Sequence, residues 1–416
     1  MNKIKLLTIS DFPLFPSGVG TQAKYLIEGL LRTGKYTIDS FGAAMQHKNN
    51  NPVRIQEYGD DWTIFPTIGY GDPDLLRKYI AARRPDAIWF ITDPRQYYWL
   101  FGMADEIRDA GIPLLYWHVW DNYPVPTFNK PLYDSCDFIG SISKLTHDIV
   151  QKCGTPEERC AYIPHAVDAE VFKAFTQEEI LTMREQMLGP HKNKFIIFYN
   201  SRNARRKMTS DVLKATKELI KQVGSEKVFL LMKTDPKDEE GANLVEVAQM
   251  LELPPDQVSF VAAGVPTPEL VKMYNIADIT VCHSNNEGFG LSCLESLSCG
   301  TPVVATETGG LQDQIKDEEG NVFGVSLKPV SRSLQGSQAI PFIYDDRPSD
   351  ESVVAALKQM YDMGWMQRKE LGRKGREWTL KAFNLSKMIS DWDTSIEKTV
   401  TRFKNTKSSR VKIEKV

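Results

Sequence analysis

Short apolar runs rich in β-branched residues alternate with segments of helical spacing along almost the whole chain. Lys5-Leu6-Leu7-Thr8-Ile9 predicts a first buried strand. Ala23, Leu26, Ile27, Leu30 and Leu31 then recur at helical spacing, and Gly34 ends that helix. Further strands are predicted at 36–41, 86–92, 113–118 and 137–141, with helices at 74–84, 96–109 and 144–152. A second series opens at Phe195-Ile196-Ile197-Phe198-Tyr199. It continues with strands at 228–232, 258–261, 279–282 and 303–306 and a helix from Thr209, and closes with helices at 352–363, 365–381 and 385–400. Strands alternating with helices predict parallel sheets covered on both faces, and two series predict two Rossmann-like domains.

The breaks in the pattern suggest boundaries. The first domain spans 1–176, a connection of helix 177–188 and polar residues 189–194 follows, and the second domain spans 195–383. A helix at 384–400 and a basic, polar tail at 401–416 end the chain. Two stretches lack periodicity. Residues 46–72 carry Tyr58, Trp62 and Tyr70. Residues 325–347 hold Pro, Ser and Gly over a length unusual for a loop, and such a segment shapes an acceptor site, forms an interface or has no chemical role.

Composition changes the picture only a little. A chain of 416 residues, 42% hydrophobic and 25% charged, can bury two cores. A net charge of −3 gives no overall basic field, so a nucleic-acid partner is not implied, although a local patch would suffice for one. Six cysteines without a Cys-x-x-Cys pair read as reduced thiols. The N-terminal apolar run is too short for a signal peptide, and no run of eighteen apolar residues occurs, so a soluble cytoplasmic enzyme without a membrane span is expected. Asp72-Pro73-Asp74 reads as a helix N-cap and Asp391-Trp392-Asp393 as part of an amphipathic helix, so no metal site is expected.

The chemistry concentrates at the carboxyl ends of predicted strands, where such sheets bind ligands. After strand 279–282 comes Asn285-Asn286-Glu287-Gly288-Phe289-Gly290-Leu291-Ser292-Cys293-Leu294-Glu295, with Gly300-Thr301-Pro302 closing the helix. Backbone N–H groups of Gly288, Phe289, Gly290 and Leu291 at a helix N-terminus suit a phosphate, and Glu287 and Glu295 suit the hydroxyls of a polyol attached to it. The alternative is two solvated carboxylates bordering a helix. Ser201-Arg202-Asn203-Ala204-Arg205-Arg206-Lys207, after strand 195–199, is either a solvated basic face or a diphosphate site. Gly18-Val19-Gly20 fits a βα turn near a ligand, or simply a tight turn. His118 ends an apolar strand, where a histidine either packs in the core or serves a site.

The segment Glu287 to Glu295, with Gly300-Thr301-Pro302-Val303-Val304 and Gly309-Gly310, resembles the nucleotide-binding half of retaining GT-B glycosyltransferases. The resemblance extends over nearly the whole chain. It implies an α/β fold of two Rossmann-like domains facing each other across a cleft, with the last long helix crossing back onto the first domain. It implies metal-independent transfer from a nucleoside diphosphate sugar, a UDP-sugar foremost, to a hydroxyl of an unidentified acceptor, the donor being a co-substrate and no cofactor being needed. Arg202 and Lys207 match the pair that binds the diphosphate, Glu287 the residue for donor sugar hydroxyls, Glu295 that for the ribose, and His118 the residue at the donor sugar. The loop with Gly18 and Gly20 matches the one approaching the donor phosphates. Met208 stands where the family has glycine, and His165-Ala166 where it has Asn-Gly. The alternatives are transfer to a modified nucleic-acid base, a nucleotide-sugar epimerase, or a sugar-nucleotide binder without chemistry.

Overall fold

The computed structural model describes residues 3–44, 50–261 and 264–409. The chain divides into two compact units, Met1–His165 with Leu385–Val416, and Ala166–Asn384. The first unit is an eight-stranded sheet of β1 (Ile4–Asp11), β2 (Tyr36–Ala43), β3 (Val53–Arg54), β4 (Trp62–Pro66), β5 (Ala87–Thr92), β6 (Leu114–His118), β7 (Phe138–Ser141) and β8 (Cys160–Tyr162). Its spatial order is β3-β4-β2-β1-β5-β6-β7-β8, parallel throughout except for β3 against β4. Burial on both faces explains why these strands read as continuous apolar runs rather than as alternation.

The helix Gly18–Arg32 buries Ala23, Leu26, Ile27, Leu30 and Leu31, the stripe its spacing predicts. The helix Leu385–Ser409 belongs to this unit too, and it passes the predicted end at 400. Of the basic tail expected at 401–416, residues 410–416 lie outside the described residues. Trp392 is wholly buried, edge-on to Trp89 and Trp117 at 5.8 and 5.7 Å. Gly140 on β7 makes room for it, since a Cβ there would lie 2.5 Å from the indole.

Two expectations change in this unit. The single helix expected at 96–109 is a 3-10 turn Pro94–Tyr97 followed by the short helices Tyr98–Phe101 and Ala104–Asp109, which break around Gly102. The aperiodic stretch 46–72 contains β3 and β4, and Trp62 and Ile64 of β4 are wholly buried.

The second unit is a six-stranded parallel sheet of β9 (Phe195–Asn200), β10 (Val228–Lys233), β11 (Val258–Val261), β12 (Ile279–Cys282), β13 (Val303–Thr306) and β14 (Gly324–Leu327). Its order, β11-β10-β9-β12-β13-β14, is the 3-2-1-4-5-6 order of a doubly wound sheet. Ile197, Leu230, Met232, Ile279, Leu357 and Met360 are wholly buried, and each such side chain contributes about 1.5–3 kcal/mol. Residues 325–347, expected to be irregular, complete β14 and then form an antiparallel hairpin of β15 (Ser331–Gln335) and β16 (Ile343–Arg347), with Leu334 opposite Tyr344.

The helix Gly364–Ala382 packs across the end of the helix Leu291–Ser298. Contact is so close that a Cβ on Gly372 would lie 2.0 Å from the Gly300 carbonyl oxygen. Gly372→Ala is therefore expected to lower unfolding free energy in urea by about 1–3 kcal/mol, the range for overpacking. An unchanged denaturation midpoint would show that the two helices can separate without cost.

Candidate functional site

In an open parallel sheet, a ligand site forms at the carboxyl ends of the strands on either side of the point where strand order reverses. In the second unit that point lies between β9 and β12. After β9, Arg205–Lys207 makes one 3-10 turn, and Met208, at φ +48, turns the chain into the helix Thr209–Val223. After β12 comes the loop with Glu287. Topology thus brings Lys207 and Glu287, eighty residues apart, into an ion pair.

Arg206 joins them. Its Nη1 donates to the Asn286 carbonyl at 2.8 Å and to Glu287 Oε2 at 3.4 Å, while the Asn285 N–H donates to the Arg206 carbonyl at 2.8 Å. Ser284 Oγ reaches the same carboxylate at 3.4 Å, and the Glu287 carbonyl accepts the Gly310 N–H at 3.0 Å. Burial pushes the Glu287 carboxyl up, but Lys207 and Arg206 outweigh it and hold the group below the usual carboxylate range. It is ionised near neutrality and fixed from several sides.

Gly290 has φ +95, and a Cβ there would lie 2.4 Å from Leu311, so only glycine serves. Phe289 is buried against Phe383, with ring centroids 5.7 Å apart. The helix Leu291–Ser298 follows at once, and no side chain caps it. The Cys293 N–H donates to the Gly290 carbonyl at 3.0 Å, so the N–H groups of Leu291 and Ser292, with the partial positive charge of the helix start, remain for an anion. Lys207, Glu287, Asn200, Ser284, Gly290 and Ser292 line a small cavity at this point.

Glu295 lies in the same helix. Its Oε2 accepts from Tyr274 Oη at 2.7 Å, and that hydroxyl accepts from Asn200 Nδ2 at 2.7 Å. Burial raises the carboxyl to about 7, against the pull of the Tyr274 bond. A folded-state value above the unfolded one of 4.5 means the folded chain binds the proton more tightly, so stability falls as pH rises between 4.5 and about 7. A polyol that needs the carboxylate is bound better above that value. Binding of such a ligand is expected to tighten as pH rises through about 7. Glu295→Gln should remove this step from the pH profile, and its persistence would assign the titration elsewhere.

Arg202 is placed differently from Lys207. Its guanidinium, 60% exposed, faces Asp238 at 2.7 and 3.1 Å and Glu240 at 3.6 Å. The structure brings Lys207, Arg206 and Glu287 together and leaves Arg202 on the acidic turn 238–240.

In the first unit strand order reverses between β1 and β5. The loop after β1 leads to Gly18 and Gly20 at the helix start, where Ser17 Oγ accepts from the Gly20 N–H at 2.9 Å and donates to Asp11. A Cβ on Gly20 would meet the Phe15 carbonyl at 2.9 Å, so this glycine is required by its own loop. His118 ends β6, wholly buried between Tyr116 and Tyr133, with Nε2 at 2.9 Å from the Tyr133 hydroxyl. Burial lowers it to about 3, so it is neutral at physiological pH. Its Nδ1 and the Oγ of Ser141, its register neighbour on β7, are buried without a hydrogen-bond partner. His165 packs edge-on to Trp117, with ring centroids 4.5 Å apart.

Sequence reasoning did not single out Tyr274, Asn200 or the hairpin, and it took Arg206 only as an additional cation of the basic run, for phosphate or an anionic acceptor. Arg206 stood in a basic run whose members spacing alone could not rank. Tyr274 is one aromatic on a mixed helix, and no local pattern ties it to Glu295. Among the described residues, no group of three or more His, Cys, Asp or Glu is placed to hold a metal ion, and no helix is long and apolar enough to cross a membrane.

Residues 182–378 match the family described as glycosyl transferases group 1. A D-inositol 3-phosphate glycosyltransferase of Paenarthrobacter aurescens is 28% identical over 224 residues, 53% of this chain and 52% of that protein. The chain thus spans about half the length of this curated relative. Among solved structures, sucrose-phosphate synthase from Thermosynechococcus elongatus superposes with a TM-score of 0.72 at 17% identity, covering 98% of this chain and 100% of that one. Anabaena HepE, solved with UDP, gives 0.68 at 16% identity, covering 95% and 100%. The fold is GT-B.

Proposed function

Since residues 182–378 match the glycosyl transferases group 1 family, we propose that the chain moves a sugar from a nucleoside diphosphate donor to an acceptor hydroxyl, retaining the anomeric configuration and using no metal. UDP is the proposed nucleotide, in keeping with the UDP in the Anabaena structure. One observation carries the reading: Lys207 and Arg206 meet Glu287 at the uncapped start of the helix Leu291–Ser298. Cations and N–H donors suit the diphosphate, and the adjoining carboxylate suits the sugar hydroxyls.

In this reading the bond between the anomeric carbon and the β-phosphate oxygen breaks, and negative charge grows on the departing diphosphate. Lys207 stabilises that charge, with Arg202 as the second cation expected there and the N–H groups of Gly288, Phe289, Gly290 and Leu291 as donors. The acceptor hydroxyl bonds to the anomeric carbon on the face being vacated, and its proton passes to the leaving phosphate oxygen. Glu287 orients the sugar hydroxyls and Glu295 the ribose. The resemblance assigns Gly18, Gly20 and His118 to the donor as well, His118 as a neutral hydrogen-bonding group. The anomeric configuration of the first-formed product, read by proton NMR, tests this. Retention, at a rate unchanged by chelator, is expected. Inversion would overturn the mechanism, and loss of activity with chelator the metal-free reading.

Transfer to a modified nucleic-acid base has less support. Arg202, Arg206 and Lys207, which suggested a basic patch, are each paired with carboxylates.

A further inference from the structure

The hairpin β15–β16 has no part in the transfer chemistry above, yet its second strand ends against the backbone that carries Glu287. Asp345 Oδ1 accepts from Asn286 Nδ2 at 2.6 Å, and Oδ2 from Asn285 Nδ2 at 3.3 Å. The Asp346 N–H donates to the Asn285 carbonyl at 2.8 Å. The Asp346 carboxylate, almost fully buried, takes the Thr308 hydroxyl at 2.8 Å and Arg332 Nε at 2.6 Å. On its other side the same loop is held by Arg206, which bonds the Asn286 carbonyl and accepts the Asn285 N–H. Residues 285–287 are gripped between a basic turn and an acidic strand end.

The rest of the hairpin does little packing. Leu334 is 62% exposed and Val330, just before it, 69%. Its firm attachment is at the loop, and a loop with glycines at 288 and 290 has much backbone freedom to lose. A scaffold that removes this freedom before the ligand arrives lowers the cost of reaching the reactive geometry.

We propose that the hairpin Ser331–Arg347 is a positioning element for the transfer site, with Asp345 the positioning residue that fixes Asn286 and, through it, sets Glu287 opposite Lys207. The inference rests on the proposed function. Positioning predicts a split between turnover and binding. In Asp345→Ala, kcat for nucleotide release should fall about tenfold or more, because small misplacements of an active group cost on that order. Binding of free nucleoside diphosphate by calorimetry, which does not need Glu287, should match wild type. Asp345→Asn keeps an oxygen for Asn286 Nδ2 and should recover most of the turnover. Wild-type kcat in Asp345→Ala, or equal slowing in both variants, would overturn the proposal. Should Asp345→Ala not fold, Asn286→Ala, which removes the same hydrogen bond from the loop side, takes its place with the same expectation for kcat. Absence of nucleotide release by the wild type would overturn the proposed function instead. The positioning claim is then read by hydrogen exchange at the amides of 284–287, which must speed up in Asp345→Ala but not in Asp345→Asn.

Discussion

Lys207→Ala is expected to lower nucleotide release about 10²–10³-fold, the range for losing one preorganised group aimed at developing charge. The effect should fall on kcat more than on donor KM, because negative charge on the diphosphate grows toward the transition state. Arg206 remains beside Glu287 at 3.4 Å, so the carboxylate keeps a cation and the loop its anchor. The fold should therefore survive, as a circular dichroism spectrum and thermal midpoint matching wild type would confirm. Steady-state kinetics then decide the matter: an unchanged kcat would remove Lys207 from the mechanism, whatever happened to KM.

The largest loss of stability is expected at Asp278, far from any chemistry assigned to the chain. Its Oδ2 takes Arg184 Nη2 and the Ile196 N–H, each at 2.8 Å, and its Oδ1 takes Arg368 Nη2 at 2.8 Å. All three side chains are under 10% exposed. Arg184 also lies over the Trp365 ring at 5.1 Å and Arg368 over Phe195 at 4.9 Å, so neither guanidinium can swing into water without uncovering an aromatic face. Asp278→Ala leaves two buried cations without their carboxylate. Removing one partner of a buried pair costs about 3–5 kcal/mol, and urea unfolding should show a loss of that size. A loss of about 1 kcal/mol or less, the value of an exposed pair, would mean that water reaches the cluster.

These two predictions also mark what the sequence reveals. Lys207 and Glu287 were legible because each follows an apolar strand at the edge where parallel sheets bind ligands, and because spacing matched a known motif. The Asp278 cluster was not. Arg184 sat in a helix read as a connection and Arg368 in the helix predicted at 365–381, and residues that distant in sequence look like solvated charges until the fold buries them. The hairpin was hidden for a related reason. β15 is largely exposed and β16 half-buried with Asp345, Asp346 and Arg347 among its five residues, so neither shows the apolar alternation that announces a half-buried strand. β4 was missed because Asp60, Asp61 and Pro66 frame it as a loop, although its Trp62 and Ile64 are core residues. The spacing of Arg202 and Lys207 suggested a joint site. The tight turn Arg205–Lys207 adds Arg206 beside Lys207, which no spacing announced, and Arg202 faces Asp238.

The central claim is that Glu287 and its cations act on a sugar nucleotide. It is tested most directly by nucleotide release from a panel of UDP-, GDP- and ADP-sugars, with chelator present, by the wild type and by Glu287→Ala. Release from one donor, UDP-linked, that is lost in the variant is the predicted result. Equal release by both proteins, or none from any donor even with candidate acceptors such as inositol phosphates and hexose phosphates, would contradict it.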